Sequence, residues 1–377
     1  MIDVEVEVVV KDKNGKIKLK RKEKSKSWVK NFIRILRSMF NGANEDIVNV
    51  NGSTEAWMNP YVVPGNSGYY SHVWFSYFYA FEVGSGTTAV SPDDYDLVSV
   101  IPDGTGDGEL AYSSIKFTDV ENDGTYAWFT MKRTFTNYGY TDVNVGEVGL
   151  KLCQGETKYG PSYTLSEPPN KRAICLVFRH VFDTVITLKH GDTLEVTIIP
   201  KITITEYYVE NFIRIIKALF KVKENVTLQD GSMVQISLYQ KSSYMDCSVG
   251  VGFSMNSPDN NDTFGILIGS DNTPETITDY ALGSKYAQDT VNYETTKVEA
   301  ITTTNSTSKF KISRVIAYAG QSFTVGEIGG IIDFKYSDWW SDHISHRYIL
   351  IIRKGGLSDT VGADNSYLVE MFPNITT

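Results

Sequence analysis

Through most of this chain, polar and apolar residues alternate with a period of two. Val4, Val6 and Val8 alternate with Glu5 and Glu7, and Lys16-Ile17-Lys18-Leu19-Lys20 resumes the pattern after Asn14-Gly15. An Asn-Gly pair between two such runs predicts a β-hairpin with a two-residue turn. Asn122-Asp123-Gly124 predicts another turn, between strands over 115–120 and 126–133, and residues 234–239 alternate again. Two segments follow the helical period instead. Phe32, Ile35, Leu36, Met39 and Phe40 form one apolar stripe, and Phe212, Ile215, Ile216, Leu219 and Phe220 form a second. Ser27 and Thr205 are the expected N-caps, and Gly42 the expected stop for the first helix.

The two helical segments are versions of one word. Residues 29–40 (VKNFIRILRSMF) return as residues 209–220 (VENFIRIIKALF), with seven of twelve positions identical. Other words follow in the same order. Val83-Gly84-Ser85 and Asp94-Tyr95-Asp96-Leu97 correspond to Ile268-Gly269-Ser270 and Asp279-Tyr280-Ala281-Leu282. Val145-Gly146-Glu147-Val148-Gly149 corresponds to Val325-Gly326-Glu327-Ile328-Gly329, and residues 174–179 to 348–353. The offsets all lie near 180 residues. The pattern predicts a mainly β chain of two tandem homologous domains, at 1–200 and 201–377. Each reads as an antiparallel β-sandwich of jelly-roll or immunoglobulin-like kind, with one short amphipathic helix near its start. Residues 193–204 run from the last strand of the first half towards the second helix without a linker, so a rigid junction is expected.

With 377 residues, 41% of them hydrophobic and 12% aromatic, the chain has too much apolar material to stay disordered. No apolar run approaches the roughly 18 residues of a membrane-spanning helix. Alternating carboxylates at the start do not match a secretory signal, so a chain made in a cytoplasm without a signal peptide is expected. Cys153, Cys175 and Cys247 lack the number and spacing of a disulfide framework or a zinc cluster.

The net charge of −9 conceals an asymmetry. Lys11, Lys13, Lys16, Lys18, Lys20, Arg21, Lys22, Lys24 and Lys26 crowd into sixteen positions whose only acidic residues are Asp12 and Glu23. Such an arm suits phosphates of nucleic acid or an acidic patch on another subunit. It equally suits an edge strand guarded by lysines. No aromatic residue interrupts it before Trp28, so base stacking is not indicated.

Signals of catalysis are sparse. There is no GxSxG elbow and no phosphate loop with its lysine. His343 and His346, with Asp338 and Asp342 nearby, are candidate ligands for a transition metal. Asp103 and Asp107, in a run of alternating oxygen side chains, resemble the first half of a calcium loop, but its position 12 is Ser114 instead of Glu. Glu147 and Glu327 recur between glycines. A lone carboxylate lacks the partner that acid–base chemistry needs. These two are expected to cap backbone amides, or to pair with Arg133 and Arg179 in the first half and Arg314 and Arg353 in the second. No cofactor and no enzymatic activity are expected.

One stretch resembles a known pattern. Residues 81–97, with Val83-Gly84-Ser85-Gly86-Thr87-Thr88-Ala89, Pro92, Asp94 and Leu97, resemble a word of structural proteins of phages and archaeal viruses, notably tail and fibre components. The order of later words is similar too: Arg133-Thr134-Phe135, Glu147-Val148-Gly149-Leu150, Leu176-Val177-Phe178-Arg179 and Gly191-Asp192-Thr193-Leu194-Glu195-Val196. The second half keeps Gly269 and Ser270 but loses Gly-Thr-Thr, and Gly330 replaces the leucine. The resemblance implies a virion component, a self-assembling capsid or tail subunit. It would meet other copies of itself, other virion proteins and, through the basic arm, genomic nucleic acid. The alternative is a receptor- or glycan-binding tail module using the aromatic stretches 57–79 and 336–340.

Overall fold

The structure, a computed structural model, describes residues 2–25, 28–57, 61–62, 80–155, 172–220, 222–236, 238–239, 252–304, 306–318, 320–337, 344–363 and 365–376. They form a mainly β protein of several antiparallel sheets with two helices, α1 (Lys30–Asn41) and α2 (Glu210–Leu219).

The alternating N-terminus folds as a hairpin of Asp3–Lys11 against Ile17–Ser25. Val4, Val6, Val8 and Val10 are buried, and Glu5 and Glu7 are half-buried. The connection differs from the expected two-residue turn, since residues 12–16 all lie between the strands. Asp12 explains the longer loop: one carboxylate oxygen accepts from the amides of Asn14 and Lys16, each at 2.9 Å. Gly15, at φ 81°, completes the reversal.

Asp3–Lys11 pairs along its other edge with Thr193–Thr203, whose burial alternates without a break. The far edge of Thr193–Thr203 meets Met131–Thr136 and then Tyr126–Trp128. Pro200 falls between Ile198, which faces Met131, and Lys201, which faces Trp128. A strand proline is tolerated where the ladder changes partner. A separate sheet places Val143–Gly155 between Arg172–Leu188 and Ala80–Gly84.

The second half reuses these pairings. Glu327–Ser337 lies between Ile344–Lys354 and Gly265–Gly269. Ile312–Tyr318 pairs with Ser366–Met371 as Met131–Thr136 pairs with Thr193–Thr203. The registers agree: Glu147 faces Gly84 and Glu327 faces Gly269, while Arg133 faces Val196 and Arg314 faces Val369.

Both helices carry the expected apolar stripe, fully buried, but their caps differ from the expectation. The N-caps are Val29 and Val209, neither with a side-chain hydrogen bond. Thr205 lies in a 3-10 turn, Ile204–Glu206, and Ser27 lies outside the described residues. Neighbouring carbonyls replace the caps. Val29 and Lys30 donate to Val177 and Pro92 at 3.1 and 2.8 Å, and Val209 and Glu210 to Ile351 and Ile277 at 3.1 and 2.7 Å. Gly42, at φ 71°, ends α1 as expected.

Asn31, Ile33 and Ser38, off the stripe, are also buried, because α1 is covered from both sides. It packs on Arg172–Leu188 and on Gly252–Ser254 of the second half. Phe40 meets Phe310 edge-on at 5.5 Å and Phe212 at 6.4 Å. In return, Phe220 beyond α2 approaches Phe129 of the first half at 6.4 Å. One apolar cluster thus runs through both halves.

Candidate functional site

Glu147 and Arg179 stand on neighbouring strands, and the register sets Arg179 opposite Gly149, two residues beyond Glu147. Arg179 Nε donates to Glu147 Oε2 at 2.7 Å, Nη1 to Asp94 at 2.7 Å and Nη2 to the Thr88 carbonyl at 2.9 Å. Glu147 Oε1 accepts from the amides of Gly86 and Ser99 at 3.2 and 3.0 Å. Glu147 is wholly buried. Burial works against the charge of Arg179, but Asp94 and Glu147 outweigh it and hold the guanidinium above its ordinary value. The cluster latches the 84–99 loop onto the sheet. It also accounts for Gly84: a Cβ there would lie 2.5 Å from Glu147 Oε1 and 2.6 Å from the Ser99 carbonyl.

The second half holds the same cluster. Arg353 Nε donates to Glu327 Oε2 at 3.0 Å and Nη1 to Asp279 at 2.7 Å. Glu327 accepts from the amides of Gly283 and Ser284 at 3.0 and 2.7 Å. Asp271 adds a contact to Nη2 at 3.3 Å. A carboxylate enclosed in this way, with its lone pairs directed at backbone amides and a guanidinium, is unavailable to a solvent-borne substrate.

Arg133 and Arg314 do not pair with these glutamates. They sit on different sheets from Glu147 and Glu327, and they form a second matched cluster. The Arg133 guanidinium lies 4.7 Å over the Tyr112 ring and donates to the carbonyls of Ser113 and Phe81 at 2.7 and 2.9 Å. Arg314 lies 4.6 Å over Tyr293 and donates to the carbonyls of Ile266 and Asn261 at 3.0 and 2.7 Å. Burial lowers Arg314 to about 10. The tyrosines, Asp94 and Asp279 were not among the expected site residues. Their signal was the common offset: Tyr112 and Tyr293 are separated, like Arg133 and Arg314, by close to 180 positions.

Ile17–Ser25 of the basic arm is the outermost strand of its sheet, while Lys11 lies on the strand beside it and Lys13 and Lys16 in the connection. Much of the arm's charge is matched within the hairpin and the adjoining strand. Lys22 reaches Glu5 at 2.6 Å, Lys20 reaches Glu7 at 3.1 Å, Lys11 lies 4.0 Å from Glu195, and Lys18 pairs with Asp192. Arg21 lies 2.7 Å from Glu23 and donates to the Thr184 carbonyl at 2.7 Å. Lys13, Lys16 and Lys24 are exposed and form no ion pair with described residues. Lys26 lies outside the described residues.

The candidate metal ligands are engaged otherwise. Asp103 accepts from the Tyr112 amide at 2.9 Å, and Asp107 from the amides of Tyr140 and Thr141 at 2.6 and 3.2 Å. His346 Nδ1 lies 2.9 Å from Asp333, whose carboxyl is pushed up by burial against the opposing pull of His346. His343, Asp338 and Asp342 lie outside the described residues, as do most of the aromatic stretches 57–79 and 336–340. Among the described residues no group of three or more His, Cys, Asp or Glu side chains is placed to hold a metal ion. No described helix is long and apolar enough to cross a membrane. Comparison with protein families, curated proteins and solved structures gave no match to this chain.

Proposed function

We propose that this chain is a non-enzymatic structural protein of a virion, a capsid or tail subunit whose principal activity is self-association. On this reading it arose by tandem duplication of a jelly-roll-like sandwich and is made in the host cytoplasm. The observation that carries it is the pair of matched clusters, Glu147–Arg179–Asp94 and Glu327–Arg353–Asp279, at an offset near 180 residues. They spend buried charges of each half on fixing loops, the use expected of a building block. The resemblance of residues 81–97 to phage and archaeal-virus structural proteins adds the virion. The exposed lysines of the arm supply a surface for nucleic acid or for an acidic neighbour. Light scattering over a range of salt, with and without DNA, tests the proposal. The expected result is a mass well above one chain, with a salt-dependent response to DNA. A single-chain mass under every condition would overturn it.

A further inference from the structure

In the first half, Asp3–Lys11 lies between two strands: Val4 faces Ser25 on one side and Pro200 on the other. Its valines stand beside the inward side chains of Thr193–Thr203, Val6 by Ile198, Val8 by Val196 and Val10 by Leu194. All six of these side chains are 2% exposed or less. The second half keeps both flanks of this slot, and no described strand fills it. Arg314 faces Val369 as Arg133 faces Val196, which makes Tyr367 and Met371 the counterparts of Leu194 and Ile198. Thr205, three residues before Tyr208, takes the place of Ser25, three before Trp28. Among the described strands, Ser366–Met371 pairs only with Ile312–Tyr318. A cleft of about 550 Å3 is lined by both flanks: Thr205 and Tyr208, and Tyr367, Val369 and Met371. Tyr367 and Met371 are only half-buried, whereas Leu194 and Ile198 are wholly covered.

A polar group marks the same place. Trp28 bridges to Phe178 as Tyr208 bridges to Ile352. Trp28 Nε1 donates to the carbonyl of Ile2, immediately before Asp3–Lys11, at 3.0 Å. Tyr208 is 6% exposed, and its hydroxyl forms no hydrogen bond with a described residue. The second half therefore has an uncovered inner face and a spare donor where the first half has a strand.

We propose that this slot binds an extended segment of a partner protein, apolar at every second residue, paired antiparallel along Ser366–Met371. The first half supplies the chemistry of the occupant. Three apolar side chains at alternate positions would stand beside Met371, Val369 and Tyr367, as Val6, Val8 and Val10 stand beside their counterparts. A carbonyl at the start of the segment would accept from the Tyr208 hydroxyl, as that of Ile2 accepts from Trp28. Main-chain bonds along the edge supply affinity, and the alternate side chains supply selectivity. The segment comes from a different protein, because the strand of this chain with that pattern, Asp3–Lys11, is already paired along both edges. The proposal does not depend on self-association.

Fluorescence anisotropy with full-length protein tests it, using as probe a labelled synthetic peptide of residues 2–12 (IDVEVEVVVKD). Saturable binding of one peptide per chain is expected. A peptide carrying Val6→Lys and Val8→Lys should bind at least tenfold more weakly. Met371→Lys in the protein should weaken binding of the parent peptide as much while keeping the denaturation midpoint; if that variant fails to fold, the peptide pair carries the test. A photo-crosslinker in place of Val8 should mark residues 205–208 or 366–374. No binding, or equal binding of both peptides, would overturn the proposal. So would crosslinks confined to 193–201, which would mean displacement of the first-half strand. Oligomers of the parent that exclude the peptide and are broken by Met371→Lys would give the slot to a second copy and overturn the partner.

Discussion

Glu147 is held by three donors, Gly86 N, Ser99 N and Arg179 Nε, in a site with no solvent exposure. Breaking a buried pair by removing one charge costs about 3–5 kcal/mol, and here Asp94 still compensates part of the Arg179 charge. Glu147→Gln should lower the unfolding free energy by on the order of 3 kcal/mol in urea titrations; an unchanged midpoint would exclude a stabilising latch. His180 makes a pH-dependent contribution of predictable sign. It lies 2.8 Å from Glu23 and 3.1 Å from Ser25 Oγ, and burial holds it below the ordinary 6.5 despite the pull of Glu23. Below 6.5 the unfolded chain takes up a proton that the folded chain refuses, so stability falls with pH until the lower folded value is passed. His180→Gln should flatten that part of the profile, and an unaltered slope would assign it to other groups. The glutamates and their arginines were legible in the sequence because both recur. Their true partners were less so. Arg133 and Arg179 are equally plausible partners by composition, and only strand register sets Arg179 beside Glu147 and Arg133 on the other sheet.

At the scale of the element, the helices were readable from their apolar period, but their ends were not. The expected side-chain caps gave way to carbonyls of Val177, Pro92, Ile351 and Ile277, groups far away in sequence. The hairpin shows the same limit, since Asp12 lengthened a turn that Asn14-Gly15 alone would have kept short. Asn31 shows how each helix is tied to its half. Its side chain donates to the carbonyls of Val48 and Leu176 at 2.8 and 3.2 Å and accepts from the Val48 amide at 2.9 Å. Asn211 does the same with Thr227 and Leu350. Asn31→Ala strands buried backbone groups and should cost about 1–3 kcal/mol. Asn211→Ala should cost a similar amount. A loss confined to one variant in thermal or urea unfolding would contradict the equivalence of the two positions.

At the scale of the molecule, the repeated words raised the expectation of two similar halves and carried no sign of how residues near 40 and 310, or near 129 and 220, would pack together. Phe40 reaches Phe310, and Phe220 reaches Phe129, so each half completes its core with an aromatic ring from the other. Residues of high sequence separation make these contacts, and no local pattern encodes them. They predict one cooperative unfolding transition for the whole chain; two separated transitions in calorimetry would mean that the halves fold independently. A unit whose two halves share one apolar cluster is suited to repetition. Negative-stain imaging of the concentrated protein at low and high salt tests that central claim most directly. The account predicts rings, tubes or shells built from repeated copies, and a field of uniform single-chain particles at every concentration would contradict it.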